Sequence, residues 1–260
     1  MLFTDVDART IHELKSDGTI GVFHQGTNYA NGLTFDRQGR LLMAEMGGTG
    51  SGRISRMDAS GKLEIVLDKG PSGGALGTTD DLVVRSDGTI YFTDPVFPHG
   101  PSTAVSLFSR PIHRLPGGAM APVNEDSTTG PNGIELSPDE KLLYVASYFG
   151  GTLLRFEVAA DGALGEPRTL ASNLTEADSL CVDAAGNLYV GISSGLAVLR
   201  PDGMRVTVIR ISGDAVTNCG FGGADGKTLY ITAWRSLYKI EGAPIPGLEW
   251  QINQAIDCAP

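Results

Sequence analysis

Five polar residues recur at one position of a repeated sequence unit: Asn31, Asp80, Asn132, Asp178 and Asn218. Each follows a small residue or a proline and opens a short, strand-like segment; we call them the mouth residues. Two carboxylates and three amide oxygens would form an all-oxygen ligand set, which suits Ca²⁺, Mg²⁺ or Mn²⁺. Zn²⁺ is an alternative, although the set contains no His or Cys. Any one of them can be read as an ordinary turn residue, but five in register favour a cation site.

The unit that carries each mouth residue reads as a β-hairpin. In the unit of Asn132, an alternating segment at 134–136 is followed by the turn Ser137-Pro138-Asp139-Glu140 and by a second apolar segment at 143–146. Third and fourth strands follow in most units. Successive mouth residues are 40 to 52 residues apart, and four antiparallel strands in such a length are typical of a β-propeller blade.

The pattern predicts an all-β fold, a six-bladed β-propeller over residues 1–243. The segment Leu2-Phe3-Thr4-Asp5 matches Tyr91-Phe92-Thr93-Asp94, which is a second strand, so the first blade is predicted to lack its innermost strand. Residues 244–260 are interpreted as a C-terminal tail or a closing strand. A β-sandwich is the alternative fold, but it does not explain a polar residue at a fixed position of each unit. In a propeller the innermost strands border the central channel, so the mouth residues should converge there.

Charge and composition limit the classes of molecule that the protein can be expected to bind. The 260-residue chain has a formal net charge of -10 and a pI near 4.8, which argues against nucleic acid and anionic membranes. It contains no apolar run long enough for a transmembrane helix and no visible signal peptide, so a cytoplasmic location is expected. The cysteines Cys181, Cys219 and Cys258 lack metal-ligand spacing and are expected to be free thiols in a reducing compartment.

Several residues outside the cation set are candidates for substrate binding. His99 follows the hairpin of the third unit, and Tyr148 and Trp234 follow the second strands of their units, where they could wall the channel opening. Asn31 and Asn218 complete this predicted substrate-binding group. The chain contains no Gly-x-Ser-x-Gly elbow, Walker loop or dinucleotide fingerprint.

With these repeats, the chain resembles the gluconolactonase family, which includes regucalcin (senescence marker protein 30) and luciferin-regenerating enzyme. The resemblance extends from Leu2 to about Ile240. The segments that carry it are 31–36, 80–84 with 91–95, 131–133 with 137–140, 186–190, and 217–219 with 228–232. It implies a six-bladed propeller that binds one divalent cation and hydrolyses sugar lactones.

The resemblance also implies roles for single residues. Asn132 resembles the metal-binding Asn of the family, and Asp178 resembles its metal-binding Asp, which is also the proposed base. Asp80 stands where the family usually has an Asn that contacts substrate or metal-bound water, so this chain carries an extra carboxylate there. The family's Glu ligand, in a Glu-Gly-Pro motif, would lie in the missing strand, and Asp80 is the candidate replacement.

The predicted function is therefore a metal-dependent hydrolase that opens a sugar lactone to an aldonic acid. Asp178 and Asp80 are the predicted catalytic residues, and Asn132, Asp178 and Asp80 the predicted ligands of one cation, with Ca²⁺ as the first choice. A phosphotriesterase-like hydrolase and a non-catalytic calcium-binding or ligand-binding propeller are the alternatives. The expected partner is a small-molecule lactone, and the sequence sets no oligomeric state.

Overall fold

The structure, a computed structural model, describes residues 1–48, 52–70, 73–95, 112–115, 121–123, 130–211, 214–242 and 253–257. These residues form only β-strands and their connections, so none of them belongs to a helix long and apolar enough to cross a bilayer. The strands are β1 Leu2–Asp5, β2 Thr10–Leu14, β3 Ile20–Gln25, β4 Ala30–Phe35, β5 Leu41–Glu45, β6 Arg53–Met57, β7 Leu63–Leu67, β8 Leu82–Val84, β9 Ile90–Thr93, β10 Ile112–Leu115, β11 Ala121–Val123, β12 Pro131–Leu136, β13 Leu142–Ser147, β14 Thr152–Glu157, β15 Arg168–Ser172, β16 Leu180–Val182, β17 Leu188–Ile192, β18 Gly195–Leu199, β19 Arg205–Ile209, β20 Val216–Gly222, β21 Thr228–Ala233, β22 Ser236–Ile240 and β23 Asn253–Asp257.

The strands form six antiparallel sheets, which we number in chain order. Sheet 1 contains β1 to β3, and sheets 2 to 6 each contain four consecutive strands. Neighbouring strands of a sheet are also neighbours in sequence, as in an up-and-down meander. In sheet 6 the last strand, β23, pairs with β22. The all-β class predicted from the sequence is confirmed for the described residues.

Tight turns close the first hairpin of each sheet. Between β4 and β5, the Asp36 carboxylate accepts hydrogen bonds from the backbone N–H groups of Gln38 and Arg40. Gly39 has a φ of 72°, a left-handed conformation that glycine adopts without steric cost. The same arrangement recurs between β16 and β17. Local turn residues therefore fix the hairpins that carry the mouth residues.

The hydrophobic core is divided among the spaces between successive sheets. One cluster joins sheets 4 and 5 and includes Leu153 and Leu180, and another joins sheets 5 and 6 around Tyr189 and Ile231. Similar clusters join sheets 1 and 2, 2 and 3, and 3 and 4. Sheets 2 to 5 therefore each bury apolar side chains against a neighbour on either side, as propeller blades do, whereas sheets 1 and 6 each share a cluster with one neighbour.

Adjacent first strands approach each other at backbone distance. The Gly32 N–H donates to the carbonyl of Asp80 at 2.8 Å, and the Gly133 N–H donates to the carbonyl of Asp178 at 3.1 Å. A Cβ at Gly133 would lie 2.4 Å from the Ser179 Cα, so only glycine permits this approach. The bonds link sheet 2 to sheet 3 and sheet 4 to sheet 5 beside the mouth residues.

The cysteine prediction is wrong for two of the three residues. Cys181 and Cys219 form a disulfide that joins β16 of sheet 5 to β20 of sheet 6, with their Cα atoms 5.7 Å apart. Their pairing depends on two sheets packing side by side, which local sequence does not reveal. Cys258 lies outside the described residues.

Candidate functional site

The mouth residues lie at one end of the sheets. Three of them lie at the second or third residue of a first strand, namely Asn31 on β4, Asn132 on β12 and Asn218 on β20. The other two, Asp80 and Asp178, come two residues before β8 and β16. Each sits where the first strand of a sheet starts. Since the second strands end at this same edge, the side chains share it with the turns that follow those strands.

Asp80 is a buried carboxylate with one amide partner. It is 4% exposed, and its Oδ1 accepts a hydrogen bond from Asn31 Nδ2 at 3.1 Å. Burial raises the pKa of Asp80 well above its usual value, and the negative charges of Asp178 and Asp81 raise it further. The structure thus brings Asn31, Asp80 and Asp178 into one electrostatic group.

Asp178 is the second perturbed carboxylate. Its backbone is fixed by a hydrogen bond from its own N–H to the carbonyl of Gly191 at 2.9 Å. Burial, with smaller contributions from Asp81 and Glu176, raises the pKa of Asp178 to about 7. A carboxylate with a pKa near neutrality is suited to exchange protons with water during catalysis.

Asn132 presents an oxygen that no described residue satisfies. The residue is 4% exposed, and its Oδ1 accepts no hydrogen bond from the part of the chain that the structure describes. Its backbone is held in place, because the Thr93 hydroxyl donates to the Asn132 carbonyl at 2.6 Å. Leaving a buried amide oxygen unsatisfied costs roughly 1–3 kcal/mol, so this atom is a natural ligand for a cation or a bound molecule.

Asp81 is an important residue that the sequence reasoning missed. Its Oδ2 accepts hydrogen bonds from the Ser179 hydroxyl at 2.8 Å and from the Ile134 N–H at 3.2 Å, and its Oδ1 accepts one from Leu82 N–H. Burial raises the pKa of Asp81 despite these bonds. This side chain joins sheets 3, 4 and 5 directly beneath the mouth residues.

Glu135 is a second residue that was missed. It lies on β12, and burial of its carboxyl raises the pKa of Glu135 to about 7, with a smaller contribution from the charge of Asp81. Its Oε1 accepts a hydrogen bond from the Leu136 N–H at 2.7 Å. With Asp80, Asp81 and Asp178, it makes a group of four carboxyls in which burial opposes ionisation.

The remaining predicted residues contribute unequally. Asn218 is partly buried, but its Oδ1 already accepts a hydrogen bond from the Cys219 N–H at 2.7 Å. Tyr148 lies near Glu176 and Asp178, whose charges add to burial in raising the pKa of Tyr148. Trp234 occupies the turn after β21 at the same end and is 76% exposed. His99 lies outside the described residues.

The donor set can be tested against a divalent cation. In the described ranges, no group of three or more His, Cys, Asp or Glu side chains is placed to hold a metal ion. A cation at this site would therefore need the amide oxygen of Asn132 beside the carboxylates of Asp80 and Asp178. These three groups fit a hard cation, because its charge would satisfy the Asn132 oxygen that no described residue contacts and would offset the cost of ionising the two carboxyls.

Comparison with known proteins finds one family model and several relatives that match this chain. The family model of the SMP-30/gluconolactonase/LRE-like region matches residues 1–235. A gluconolactonase from Zymomonas mobilis subsp. mobilis is 25% identical over 270 aligned positions, covering 92% of this chain and 74% of that protein. Human regucalcin is 29% identical over 118 residues, which are 43% of this chain and 40% of regucalcin.

Solved structures of gluconolactonase and regucalcin also superpose on this chain. The structure of a gluconolactonase from Xanthomonas campestris superposes with a TM-score of 0.80 at 31% identity, covering 93% of this chain and 81% of that one. A calcium-binding regucalcin from Agrobacterium tumefaciens superposes with a TM-score of 0.71 at 19% identity, covering 87% and 75%. At that identity the second comparison supports the fold alone.

Proposed function

This chain belongs to the SMP-30/gluconolactonase/LRE-like family, and from this premise we propose that it is a lactonase that uses a divalent cation to open a sugar lactone to an aldonic acid. The likeness to gluconolactonases from Zymomonas mobilis and Xanthomonas campestris supports the reaction class. The residues in which we place the activity are Asp178, Asp80 and Asn132.

One observation carries the proposal: the buried Oδ1 of Asn132, which accepts no hydrogen bond from the described residues, belongs to the same end of the sheets as two carboxyls of raised pKa. We propose that Asn132, Asp80 and Asp178 hold the cation, with Ca²⁺ the first choice because all donors are hard oxygens. When bound, the cation supplies Lewis-acid polarisation of the lactone carbonyl.

In the proposed reaction Asp178 is the general base. A water molecule attacks the lactone carbonyl carbon, and the Asp178 carboxylate accepts the proton as the new C–O bond forms. The bond from the carbonyl carbon to the ring oxygen then breaks, and the proton passes to the departing alkoxide. The products are an open hydroxy acid and Asp178 in its starting form.

In the proposed mechanism, Asn31 and Asp80 help to orient the reacting groups. Asn31 donates to Asp80 Oδ1 and thereby orients the carboxylate that stands where relatives of this family usually have an amide. Tyr148 and Trp234 remain candidates for the wall of the substrate site, and Asn218 for a contact through its amide nitrogen, because its oxygen is already bonded.

We also infer that the six sheets are the blades of one propeller and that, among the described residues, sheet 1 has no equivalent of the innermost strand of the other sheets. Two equivalent hydrogen bonds support this reading. Thr93, on the second strand of sheet 3, donates its hydroxyl proton to the mouth residue Asn132 of sheet 4. Thr4, on β1, donates in the same way to the mouth residue Asn31 of sheet 2 at 3.0 Å. β1 therefore corresponds to a second strand.

The test is hydrolysis of D-glucono-δ-lactone, monitored by pH-stat titration. The protein is first treated with a chelator, and Ca²⁺, Mg²⁺, Mn²⁺ or Zn²⁺ is then added back one at a time. We expect at least one cation to restore turnover. Asp178→Ala should lower kcat by roughly 10²–10⁴-fold while leaving the circular dichroism spectrum unchanged.

The matched control is Asp202→Ala, which removes an exposed carboxylate in the turn after β18 and should retain activity. Turnover unaffected by chelation, or retained by Asp178→Ala, contradicts the mechanism. Cation binding without hydrolysis of any lactone would favour a non-catalytic binding protein instead.

A further inference from the structure

A buried ion pair lies beside the mouth residues on sheet 2. Glu45, the last residue of β5, is 1% exposed and faces Arg53 across the β5–β6 ladder. Its Oε2 accepts hydrogen bonds from Arg53 Nε at 2.5 Å and from the Ser55 hydroxyl at 2.6 Å. Burial alone would raise the pKa of Glu45, but the hydrogen bonds that the carboxylate accepts outweigh burial and hold this pKa below its usual value. Glu45 is therefore a buried carboxylate that the fold keeps charged.

The side chain of Glu45 fixes the chain that leads into Asn31. Its Oε1 accepts a hydrogen bond from the Asn28 N–H at 2.6 Å, three residues before Asn31. The backbone of Glu45 also pairs with Ala30, the first residue of β4. The carboxylate and the ladder together set the position at which β4 begins, and hence the position of Asn31.

The main chain of Glu45 fixes the chain that leads into Asp80. The Thr79 hydroxyl donates to the Glu45 carbonyl at 2.6 Å and lies 3.2 Å from the Arg53 carbonyl. Thr79 is fully buried, and Asp80 follows it directly in the chain. This contact ties the segment that opens sheet 3 to sheet 2.

Both contacts converge on one hydrogen bond of the candidate site. Asn31 Nδ2 donates to Asp80 Oδ1 at 3.1 Å. This bond joins two sheets, so its geometry depends on how the two chains are held relative to each other. Beside the backbone bond from Gly32 to Asp80, Glu45 is a residue of sheet 2 to which both chains are tied. Supporting contacts of this kind orient the groups that bind a ligand.

We propose that the Glu45–Arg53 ion pair is a positioning device: it holds the Asn31–Asp80 hydrogen bond in place and thereby sets the direction in which the Asp80 carboxylate faces its ligand. Glu45 acts through Asn28 and Thr79 and is a positioning residue, not a catalytic one. The inference rests on the proposed function for what Asp80 binds, whereas the dependence of the hydrogen bond on Glu45 requires no reaction.

The first measurement reports the Asn31–Asp80 hydrogen bond in chelated protein. In a proton–nitrogen correlation spectrum, the side-chain amide of Asn31 is identified by its loss in Asn31→Ala, and Asp80→Ala gives its position when the bond is broken. Thr79→Val keeps the branched shape and removes the hydroxyl that bonds to Glu45. It should move the Asn31 amide resonances toward their positions in Asp80→Ala. Thr79→Ser restores the hydroxyl and should return them to the wild-type positions.

Glu45→Gln tests the ion pair itself, and Glu64→Gln is its matched control. Removing the charge that Arg53 faces should move the Asn31 resonances as Thr79→Val does. The control breaks the Arg56–Glu64 pair, a cross-strand ion pair on the outer strands of the same sheet, and should leave the spectrum of Asn31 unchanged. Should Glu45→Gln fail to fold, because Arg53 is left without its carboxylate, the two Thr79 variants decide the inference.

Calcium binding provides a second readout. Isothermal titration calorimetry with Ca²⁺ should give a Kd that is roughly 3–10-fold higher in Thr79→Val and Glu45→Gln than in the wild type, which is the worth of about one hydrogen bond. Thr79→Ser and Glu64→Gln should bind Ca²⁺ as the wild type does.

The outcomes separate this inference from the proposed function. If lactone is hydrolysed and Ca²⁺ binds, but Thr79→Val and Glu45→Gln lower only Tm and leave the Asn31 resonances and the Kd unchanged, the ion pair serves the fold alone; the inference is then wrong and the lactonase stands. If no lactone is hydrolysed and no cation binds, but Thr79→Val moves the Asn31 resonances and Thr79→Ser restores them, the proposed function fails and the positioning role stands. Equal shifts in the two Thr79 variants, or an Asn31 amide unaffected by Asp80→Ala, would also overturn the inference.

Discussion

Glu135 shows how a single buried carboxyl makes stability depend on pH. Its pKa is raised to about 7 by burial, so the folded protein binds this proton more tightly than the unfolded chain does. Its effect on the unfolding free energy is therefore absent below the unfolded pKa, near 4.5. As pH rises from about 4.5 to about 7, the unfolded chain loses this proton while the folded protein keeps it, so stability falls, and it levels off above about 7.

We predict that Glu135→Gln removes this cost. In chelated protein at pH 8, the unfolding free energy of the variant should exceed that of the wild type by on the order of 1–3 kcal/mol, and the two should agree at pH 4.5. Gln keeps the acceptor for the Leu136 N–H. Urea denaturation at the two pH values provides the measurement, with Glu157→Gln, at an exposed position, as the control. Equal stability of wild type and variant at pH 8 would contradict the prediction.

At the residue scale, the sequence reveals the mouth residues but not the groups that support them. A repeat in register singles out one polar residue per unit, because those positions share spacing. Asp81 was overlooked because it follows Asp80 directly, yet it occupies the position that holds Gly32, Gly133 and Ser179 in other units. A carboxylate in place of a small residue is the signal that could have identified it. Two of its three bonding partners, Ile134 and Ser179, come from elements far away in sequence, which no local pattern specifies.

At the scale of elements, the hairpins could be predicted and their lateral connections could not. Each hairpin is encoded locally by strand alternation and by turns such as Asp36 to Gly39. How sheet 5 sits against sheet 6 depends on the whole set of core contacts. For this reason Cys181 and Cys219 were expected to be free, and only the packed sheets reveal that they are bonded.

The disulfide leads to a prediction about the stability of this sheet pair. It closes a loop with a sequence separation of 38 residues, for which the chain-entropy treatment gives about 4 kcal/mol of stabilisation. Cys181→Ser, Cys219→Ser and the double variant should each lose much of this amount, seen as lower urea midpoints with little change in m-value. Adding a reductant should lower the wild-type midpoint and leave the variants unaffected.

Cys258→Ser is the control for thiol replacement, and it should unfold at the wild-type midpoint. Thiol counting by mass spectrometry after alkylation reports the bond directly. Three alkylated thiols in unreduced native protein would show that the bond is absent, and a reductant-insensitive midpoint would show that it does not stabilise the fold.

At the scale of the whole molecule, the separate sheets must be held to one another by contacts between them. Each core cluster joins only two neighbouring sheets, so the centre depends on polar contacts such as those of Asp81. Asp80, Asn132 and Asp178 come from sheets 3, 4 and 5. A cation held by all three would cross-link these sheets and would also offset the repulsion between Asp80 and Asp178. Binding to the native state alone raises stability by mass action.

We therefore expect Ca²⁺ at 100 times its Kd to add about 2.7 kcal/mol to the unfolding free energy of chelated protein, and to raise Tm by roughly 5–10 °C for a chain of this size. Asn132→Ala should lose most of this increase, because it removes the buried Oδ1 that has no hydrogen-bond partner among the described residues. Gln38→Ala, which removes an exposed amide from the turn after β4, should keep it. Differential scanning calorimetry with and without the cation is the measurement. If Tm is the same in chelator and in every cation tested, or if Asn132→Ala responds as the wild type does, these three sheets are not joined by a metal ion, and the buried carboxyls must serve the fold or the substrate without one.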